Sequence, residues 1–228
     1  MRTATINLNA DLGESFGAWQ MGNDAELLRI VGTANIACGF HAGDPLVMRR
    51  TVRQALAAGV SLGAHPSFPD LQGFGRRAMQ LPAAELEAML IYQIGALSGI
   101  AKAEGGRLTH VKPHGALNNM ACEDTVLATS VVSAIRSHDP SMILLAPALS
   151  KLALAGEAVG LRVAAEIFAD RAYGETGNLL PRSQLGAVLH TADECVAHVV
   201  RMLEAGGILT VGGRSEEHTS ELQSPCNL

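Results

Sequence analysis

Along the chain, short runs of apolar residues alternate with longer segments in which apolar residues recur at every third or fourth position. Short continuous runs are typical of strands buried in a parallel sheet, whereas the three- and four-residue spacing is typical of amphipathic helices. The pattern predicts six strands, one beginning at Ile6 and the others at 33–38, 60–64, 108–112, 142–146 and 161–168. This alternation predicts an α/β fold with parallel strands and right-handed crossovers. Six strands favour an incomplete or distorted barrel over a flat sheet, although the alternation is compatible with both.

Capping residues mark the start of several predicted helices. Asp44 precedes Pro45, and the two suit the N-cap and the first position of a helix. Thr191 and Glu194 have the spacing of a capping box ahead of a segment with helical periodicity. A further helix is predicted from about 124 to 137.

Composition excludes several classes of protein. The 228 residues suffice for one α/β domain, and 48% of them are apolar but only 4% aromatic, so the core is expected to consist mainly of aliphatic side chains. The net charge of −5 and the lack of a basic stripe give no reason to expect nucleic acid as a partner. The only sustained apolar run, at 142–154, is too short to span a membrane and contains Pro147.

The expected compartment is the cytoplasm. The N-terminus has no basic segment followed by an apolar one, so no secretory signal is predicted. The four cysteines are scattered, without the paired spacing of a zinc site or the density of a disulfide framework. A reducing cytosol is the simplest interpretation of this cysteine usage.

Four of the apolar runs end abruptly in polar, ionisable residues. These residues are Asp11 and Glu14 after the first run, His41 after the second, His65 after the third, and Lys112 and His114 after the fourth. In α/β barrels the reacting groups lie at the carboxyl ends of several different parallel strands. The pattern therefore predicts an active site assembled from these ends.

The residue types suggest proton transfer. Asn9 and Asp11 are two positions apart on a strand and share one face, where either a bracing or a binding role is open. Imidazole titrates near neutral pH and suits acid–base catalysis. His110 and His114 are not expected to share a metal ion, because four residues of strand span about 13 Å. No metal ligand is assigned, although an ion held by Asp11 and histidines from separate strands stays open.

The cationic residues have two interpretations each. Lys112 is expected to stabilise negative charge on a substrate or to form an ion pair with Asp11 or Asp170, and the two roles are compatible. The loop at 66–80 is expected to be mobile and to present Arg76 or Arg77 to an anionic substrate, or to be a solvated surface loop. Its Gly-x-Gly pattern does not follow a strand, so it is not interpreted as a dinucleotide site.

Further polar residues follow the sixth strand, where Asp170 and Arg171 are expected to add a wall to the site. Two nucleotide and hydrolase signatures are absent from the sequence. There is no Walker-type phosphate loop, and there is no Gly-x-Ser-x-Gly elbow of a serine hydrolase.

The end of the chain departs from the pattern. Residues 214–224 have neither helical nor strand periodicity and resemble the translation of a common sequencing adapter. The predicted domain organisation is therefore a single barrel domain at 1–213, incomplete at its C-terminus, and a non-native tail at 214–228.

Several motifs together resemble the LamB/YcsF family. They lie at 9–17, 34–45, 63–66, 70–77, 110–117 and 168–173, and they include Asn-Ala-Asp-Leu-Gly-Glu, Cys-Gly-Phe-His-Ala-Gly-Asp-Pro and His-Val-Lys-Pro-His-Gly. The resemblance covers about 5–213 in unbroken order. It implies a seven-stranded (β/α) barrel of the glycoside hydrolase/deacetylase type.

The resemblance also implies a function and a set of site residues. The implied function is that of the A subunit of the ATP-dependent 5-oxoprolinase, which opens 5-oxo-L-proline to L-glutamate together with the B and C subunits. ATP is expected to bind the partner subunits, and a metal is undecided. The implied catalytic residues are Asp11, Glu14, His41, His65, Lys112 and His114, and the expected substrate-binding residues are Asn9, Asn35, Arg76, Asp170 and Arg171. The alternatives are a metal-dependent deacetylase-like carbohydrate hydrolase and a non-catalytic substrate-binding subunit.

Two departures from the family pattern stand out. The family usually has Asp where this chain has Asn7. Family members also continue into a last strand with a Val-His-Gly-Asp-like motif, where this chain has the adapter-like tail. We therefore expect a barrel truncated before its last strand, with an open edge.

Overall fold

The computed structural model describes residues 6–175, 177–212, 215–217 and 225–227, the last two segments by their backbone alone. Within this part of the chain the strands are β1 (Asn7–Leu12), β2 (Thr33–Ala37), β3 (Ser61–His65), β4 (Leu108–Val111), β5 (Ile143–Pro147), β6 (Arg162–Phe168), β7 (Gly207–Leu209), β8 (Ser215–Glu217) and β9 (Pro225–Asn227). Strands β1 to β6 are parallel neighbours in chain order. The predicted α/β barrel is confirmed.

Helices connect these strands. They are α1 (Asp24–Leu27), α2 (Pro45–Ala57), α3 (Ala83–Ala103), α4 (Gly115–Glu123), α5 (Thr125–His138), α6 (Lys151–Ala158) and α7 (Ala192–Ala205). The sequence pattern did not predict α4 or α6, since both are short and their apolar residues adjoin those of neighbouring elements. The start of α4 matters for the site, because its N-cap residue is His114.

The predicted helix caps are present. The Asp44 carboxylate accepts hydrogen bonds from the backbone N–H of Leu46 at 2.8 Å and of Val47 at 3.2 Å, which satisfies two donors at the start of α2. Thr191 and Glu194 form the reciprocal capping box of α7. Each cap fixes the point at which the chain leaves a loop and begins a helix.

The core lies between the ring of strands and the surrounding helices. Strands β1 to β3 contribute Leu12, Ile36 and Leu62, and α3 contributes Leu90 and Ile94, all of them buried. Burying a side chain of this size contributes about 1.5–3 kcal/mol. This aliphatic core makes the barrel a rigid support for the polar residues at its carboxyl end.

The seventh position of the ring is occupied by β9, which pairs in parallel with both β1 and β6. The open edge expected between those strands is therefore filled, by a three-residue segment of the adapter-like tail. Strand β8, also from that tail, pairs antiparallel with β7 outside the barrel. Residues 218–224 and 228 lie outside the described part of the chain, and the foreign origin of the tail stays a prediction.

Among the described residues, no helix combines the length and the apolar character that crossing a membrane requires. The longest, α3, has 21 residues and ends in a turn that contains Lys102.

Candidate active site

Ionisable side chains from four neighbouring strands meet at the carboxyl end of the barrel. Asp11 lies on β1, His41 follows β2, His65 ends β3, and His114 follows β4. His65 Nε2 lies 2.9 Å from His114 Nδ1 and 3.4 Å from Asp11 Oδ2. The His41 and His114 rings are stacked, with centroids 3.9 Å apart. The structure thus brings together the strand ends that the sequence pattern singled out.

Lys112 is held between two carboxylates. Its Nζ lies 3.1 Å from Asp11 Oδ1 and 2.8 Å from Glu166 Oε1, and its side chain is 5% exposed. Burial alone would lower the pKa of Lys112, but the two carboxylates outweigh this effect and raise it. The predicted pairing with Asp11 is confirmed, whereas the second partner is Glu166 on β6 rather than Asp170. Lys112 is therefore already paired with two carboxylates, and its role of stabilising negative charge on a substrate stays a prediction.

Asp11 and His65 have pKa values shifted in opposite directions. Burial would raise the pKa of Asp11, but the charges of His65 and Lys112 hold it well below its usual value. Burial would lower the pKa of His65, but Asp11 raises it above its usual value. The other ring nitrogen of His65, Nδ1, donates to the carbonyl oxygen of Lys112 at 2.7 Å. The geometry therefore favours an ionised carboxylate beside a protonated imidazole.

Glu14, His41 and His114 form a less charged group beside this pair. Glu14 Oε1 lies 3.1 Å from His41 Nε2 and 3.5 Å from His114 Nδ1. Burial and the nearby charge of His65 lower the pKa of His41 and of His114 to about 3, so both rings are neutral near pH 7. Burial raises the pKa of Glu14. A neutral His114 has one donor nitrogen, and that nitrogen, Nε2, donates to the carbonyl oxygen of Phe74 at 2.9 Å.

An amide network positions Asp11. Asn35 Nδ2 donates to Asn9 Oδ1 at 2.7 Å and to Asp11 Oδ1 at 2.9 Å, and His110 Nε2 donates to Asn35 Oδ1 at 3.0 Å. Asn9 and Asn35 are fully buried. Asn35 thus orients Asp11 directly and Asn9 does so through Asn35, and the predicted substrate-binding role of the two residues stays a prediction. His110 does not belong to the histidine cluster, as the strand spacing predicted.

The loop at 66–80 is fastened to the barrel. The fully buried Asp70 accepts hydrogen bonds from the Arg77 side chain and from the backbone N–H of Gly73 at 3.0 Å. Gly75 has φ +65, and a Cβ there would overlap Ser67 Oγ, so the turn requires glycine. Arg77 thus braces the loop, whose expected mobility stays a prediction. Arg76 is exposed and lies over the Phe74 ring.

A cavity of about 460 Å³ opens at the site. Asp11, His65, Lys112 and His114 contribute to its wall, and so do Arg76, Arg171 and Arg182. Arg171 is only 8% exposed, and its Nη2 donates to the carbonyl oxygen of Leu180. The polar wall predicted after β6 is therefore present in Arg171, whereas Asp170 is not among the described residues that line the cavity.

The histidine cluster has donors that could hold a metal ion. One donor atom from each of Glu14, His41, His65 and His114 lies within 4.8 Å of the others, and imidazole with carboxylate is a donor set that zinc accepts. The outer nitrogens of His65 and His114 bond to carbonyl oxygens, as is common for metal ligands. The ring of His41 is parallel to that of His114 within 6°, so no ion can lie in both ring planes. The arrangement fits an ion held by His65, His114 and Glu14, without His41.

Comparison with known proteins decides the family. The LamB/YcsF family model matches residues 6–226. The chain belongs to the LamB/YcsF family. It is 70% identical over 209 residues to the 5-oxoprolinase A subunit of Azoarcus sp. (strain BH72), covering 92% of this chain and 82% of that protein. It is 54% identical over 211 residues to the 5-oxoprolinase A subunit 2 of Bradyrhizobium diazoefficiens, with the same coverage of 92% and 82%.

The fold of this LamB/YcsF protein also matches a solved structure. The crystal structure of the lactam utilization protein from Thermus thermophilus superimposes with a TM-score of 0.90 at 42% identity, covering 98% of this chain and 90% of that chain. The barrel expected from the resemblance is therefore the fold of the family.

Sequence reasoning missed one central residue of the LamB/YcsF site. Glu166 is 1% exposed and lies on β6 among apolar residues, where it faces Lys112. A single carboxylate inside an otherwise apolar strand was the available signal, because a buried charge requires a partner. The sequence gives no indication of which of several lysines and arginines that partner is.

Proposed function

We propose that this chain is the A subunit of an ATP-dependent 5-oxoprolinase, which hydrolyses the lactam of 5-oxo-L-proline to L-glutamate together with the B and C subunits. The names of its relatives support this assignment. The observation that carries the chemistry is the Asp11–His65 pair, which lines the cavity with pKa values shifted apart. Such a pair divides the roles of base and acid between two neighbouring groups.

Opening a lactam requires a base for water and an acid for the departing nitrogen. Asp11 Oδ1 is held by Lys112 and Asn35, which leaves Oδ2 toward His65 and the cavity. In the proposed mechanism Asp11 accepts a proton from the attacking water, and His65 donates a proton to the ring nitrogen as its bond to carbon breaks. Lys112 and Glu166 act through Asp11 as positioning residues.

ATP enters through the partner subunits in this proposal, because the sequence has no phosphate loop. There the terminal phosphoryl group moves from ATP to the lactam oxygen and releases ADP. At the present site one water adds to the activated carbon, and the C–N bond breaks with protonation of nitrogen. A second water then releases phosphate and leaves glutamate. The sequence of steps consumes one ATP and two waters for each ring that is opened.

The test is glutamate release by the full chain reconstituted with the B and C subunits, ATP and 5-oxoproline. Asp11→Asn and His65→Gln keep the shape of the site but remove the base and the acid, so we expect each to lower kcat by about 10²- to 10⁴-fold. Arg29→Gln, which removes an exposed ion pair between Glu26 on α1 and the residue two positions beyond the helix, is the matched control. Full turnover in both site variants, with unchanged melting temperature, would sink the proposal. Substrate binding that survives without any effect on turnover would favour a non-catalytic subunit.

The second candidate is a metal-dependent deacetylase-like hydrolase, which the donor set of His65, His114 and Glu14 favours. A divalent ion held there would polarise a carbonyl oxygen. Elemental analysis of the purified full chain distinguishes the two functions. A stoichiometric transition metal, with activity lost to a chelator and no requirement for ATP, would favour the second candidate.

A further inference from the structure

Three arginines of the cavity wall have no carboxylate partner. Arg76, Arg171 and Arg182 line the cavity, and within the described part of the chain none of them forms an ion pair. We name these three residues the arginine wall. Some exposed arginines elsewhere, such as Arg162, also lack an ion pair among the described residues, so what distinguishes the wall is that its members line one cavity and that Arg171 is buried there. The arginine wall therefore carries positive charge that the protein leaves uncompensated.

Arg171 is the buried member of the wall. Its Nε is buried without a hydrogen-bond partner, and the residue as a whole is only 8% exposed. A buried guanidinium donor that lacks an acceptor is costly, unless a ligand supplies that acceptor. Burial lowers the pKa of Arg171, the charge of Arg182 adds to this shift, and the charge of Asp170 opposes it only in part.

The start of α4 adds to the positive potential on the same cavity. Residues 113–116, at the N-terminal end of this nine-residue helix, line the cavity, and the N-cap residue His114 does not cap the helix with its side chain. The Ala116 N–H is taken by the Gly75 carbonyl oxygen, so this helix start favours an anion through the helix dipole more than through free N–H groups.

The balance of charge on the cavity wall indicates how much negative charge its ligand carries. Two carboxylates line the cavity within the described residues, Asp11 and Glu123. Asp11 is already paired with Lys112, so Glu123 on the cavity wall and Asp170 beside Arg171 are left to oppose the three arginines. A substrate with one carboxylate leaves part of this charge uncompensated, whereas a phosphoryl group adds a charge of about −1.5 to −2 at neutral pH. Guanidinium groups also match phosphate oxygens in geometry.

We infer that the arginine wall is a phosphoryl-binding subsite. That its ligand in the reaction is the phosphorylated lactam rests on the proposed function, whereas the binding of a phosphoryl group to the wall does not. The subsite lies on the same cavity as Asp11 and His65, so a phosphoryl group on the lactam oxygen would be held while the acid–base pair acts on the ring carbon and nitrogen.

The experiment measures binding of inorganic phosphate to the full chain by calorimetry, without partner subunits or turnover. We expect one phosphate for each chain, and a dissociation constant that rises by about 10- to 100-fold in Arg171→Met. Arg182→Gln and Arg76→Gln, at exposed positions, are expected to weaken binding without affecting folding. Arg162→Gln, an exposed arginine at the opposite end of β6 from Arg171, is the matched control and should bind phosphate like the unmodified chain.

Two further arms identify the source of the phosphoryl group. A phosphorylated lactam requires that 5-oxoproline and phosphate bind together, so saturating 5-oxoproline should leave phosphate binding intact. Competition between them would mean that the wall binds the substrate carboxylate, and ATP binding much tighter than phosphate would mean a nucleotide site. Either result overturns the inference, as does phosphate binding that is absent or unaffected by all three wall variants. If the unmodified chain binds phosphate as expected but releases no glutamate in the reconstituted assay, that result counts against the proposed function only.

Discussion

Two sets of charged residues line one cavity and differ in how their charges are compensated. In the first set, Asp11, His65, Lys112 and Glu166 each have an oppositely charged partner within 3.4 Å. In the second set, the arginine wall, no ion pair is formed among the described residues. The first set comes from β1, β3 and β6 and from the residue directly after β4, whereas the wall comes from loops that follow β3 and β6.

This difference indicates different roles, because the first set prepares the site for the reaction and the second set binds the ligand. A compensated cluster keeps its geometry without a ligand, so it can fix the protonation states of Asp11 and His65 before the substrate arrives. An uncompensated cation in a partly buried position lacks its anion until a ligand binds. The comparison therefore predicts that changes in the first set mainly affect stability and turnover, and that changes in the second set mainly affect binding.

The largest expected effect on stability comes from breaking the first set. Lys112→Met leaves Asp11 and Glu166 as neighbouring carboxylates without their cation, so we expect a loss of about 3–5 kcal/mol in the free energy of unfolding. Urea denaturation at pH 7 measures this loss. The double variant Lys112→Met with Glu166→Gln also removes one of the two unpaired carboxylate charges, so it should recover part of the stability. Equal stability of Lys112→Met and the unmodified chain would show that the cluster is not energetically compensated.

A smaller effect on stability is expected from a change at Asp70, in the loop where the paired Arg77 follows the unpaired Arg76. Asp70→Asn removes the charge that braces the loop, so we expect a lower melting temperature at pH 7. Because Arg77 depresses the pKa of Asp70, the contribution of this carboxylate is present above its unfolded value of about 3.9 and is lost as the pH falls through the folded value. The melting temperatures of the two proteins should therefore converge in acid. A difference that stays constant from pH 7 to pH 3 contradicts this account.

The smallest effect on stability is expected for Arg76→Gln. Arg76 is exposed, lies over the Phe74 ring at 5.1 Å and has no ion pair among the described residues, so we expect a change within about 0.5 kcal/mol. By calorimetry we expect this variant to bind phosphate more weakly, and we expect its binding of 5-oxoproline to stay unchanged. A large loss of stability would place Arg76 with the compensated residues and remove the contrast between the two sets.

Much of the fold could be predicted from residue patterns. The short apolar runs and the caps at Asp44 and Thr191 specify strand and helix positions through local periodicity and local hydrogen bonds. The helix that begins at Gly115 was not predicted, because its start depends on packing, as the Ala116 N–H bonds to the Gly75 carbonyl oxygen across the chain. Such a contact has no signature in the local sequence.

The sequence predicted which residues belong to the site better than it predicted the role of each residue. Polar residues after buried strands indicated Asp11, His65 and His114 correctly as neighbours, because parallel strands place their carboxyl ends at one edge. Asn9 and Asn35 were expected to contact substrate; they are buried in a hydrogen-bond network that reaches Asp11 through Asn35, and their contact with substrate stays a prediction. The sequence did not distinguish the roles of Arg76 and Arg77, and only the position of Asp70, which binds Arg77, does so.

The sequence by itself therefore determined the barrel, its helices and the end at which ionisable groups collect, because these follow from periodicity and from strand direction. The tertiary structure decided which charges neutralise one another. Lys112 lies 101 residues from Asp11 and is held as well by Glu166, while Arg171 forms no ion pair among the described residues. Electrostatic energy depends on distances of a few ångströms in a partly buried environment, and folding alone sets those distances.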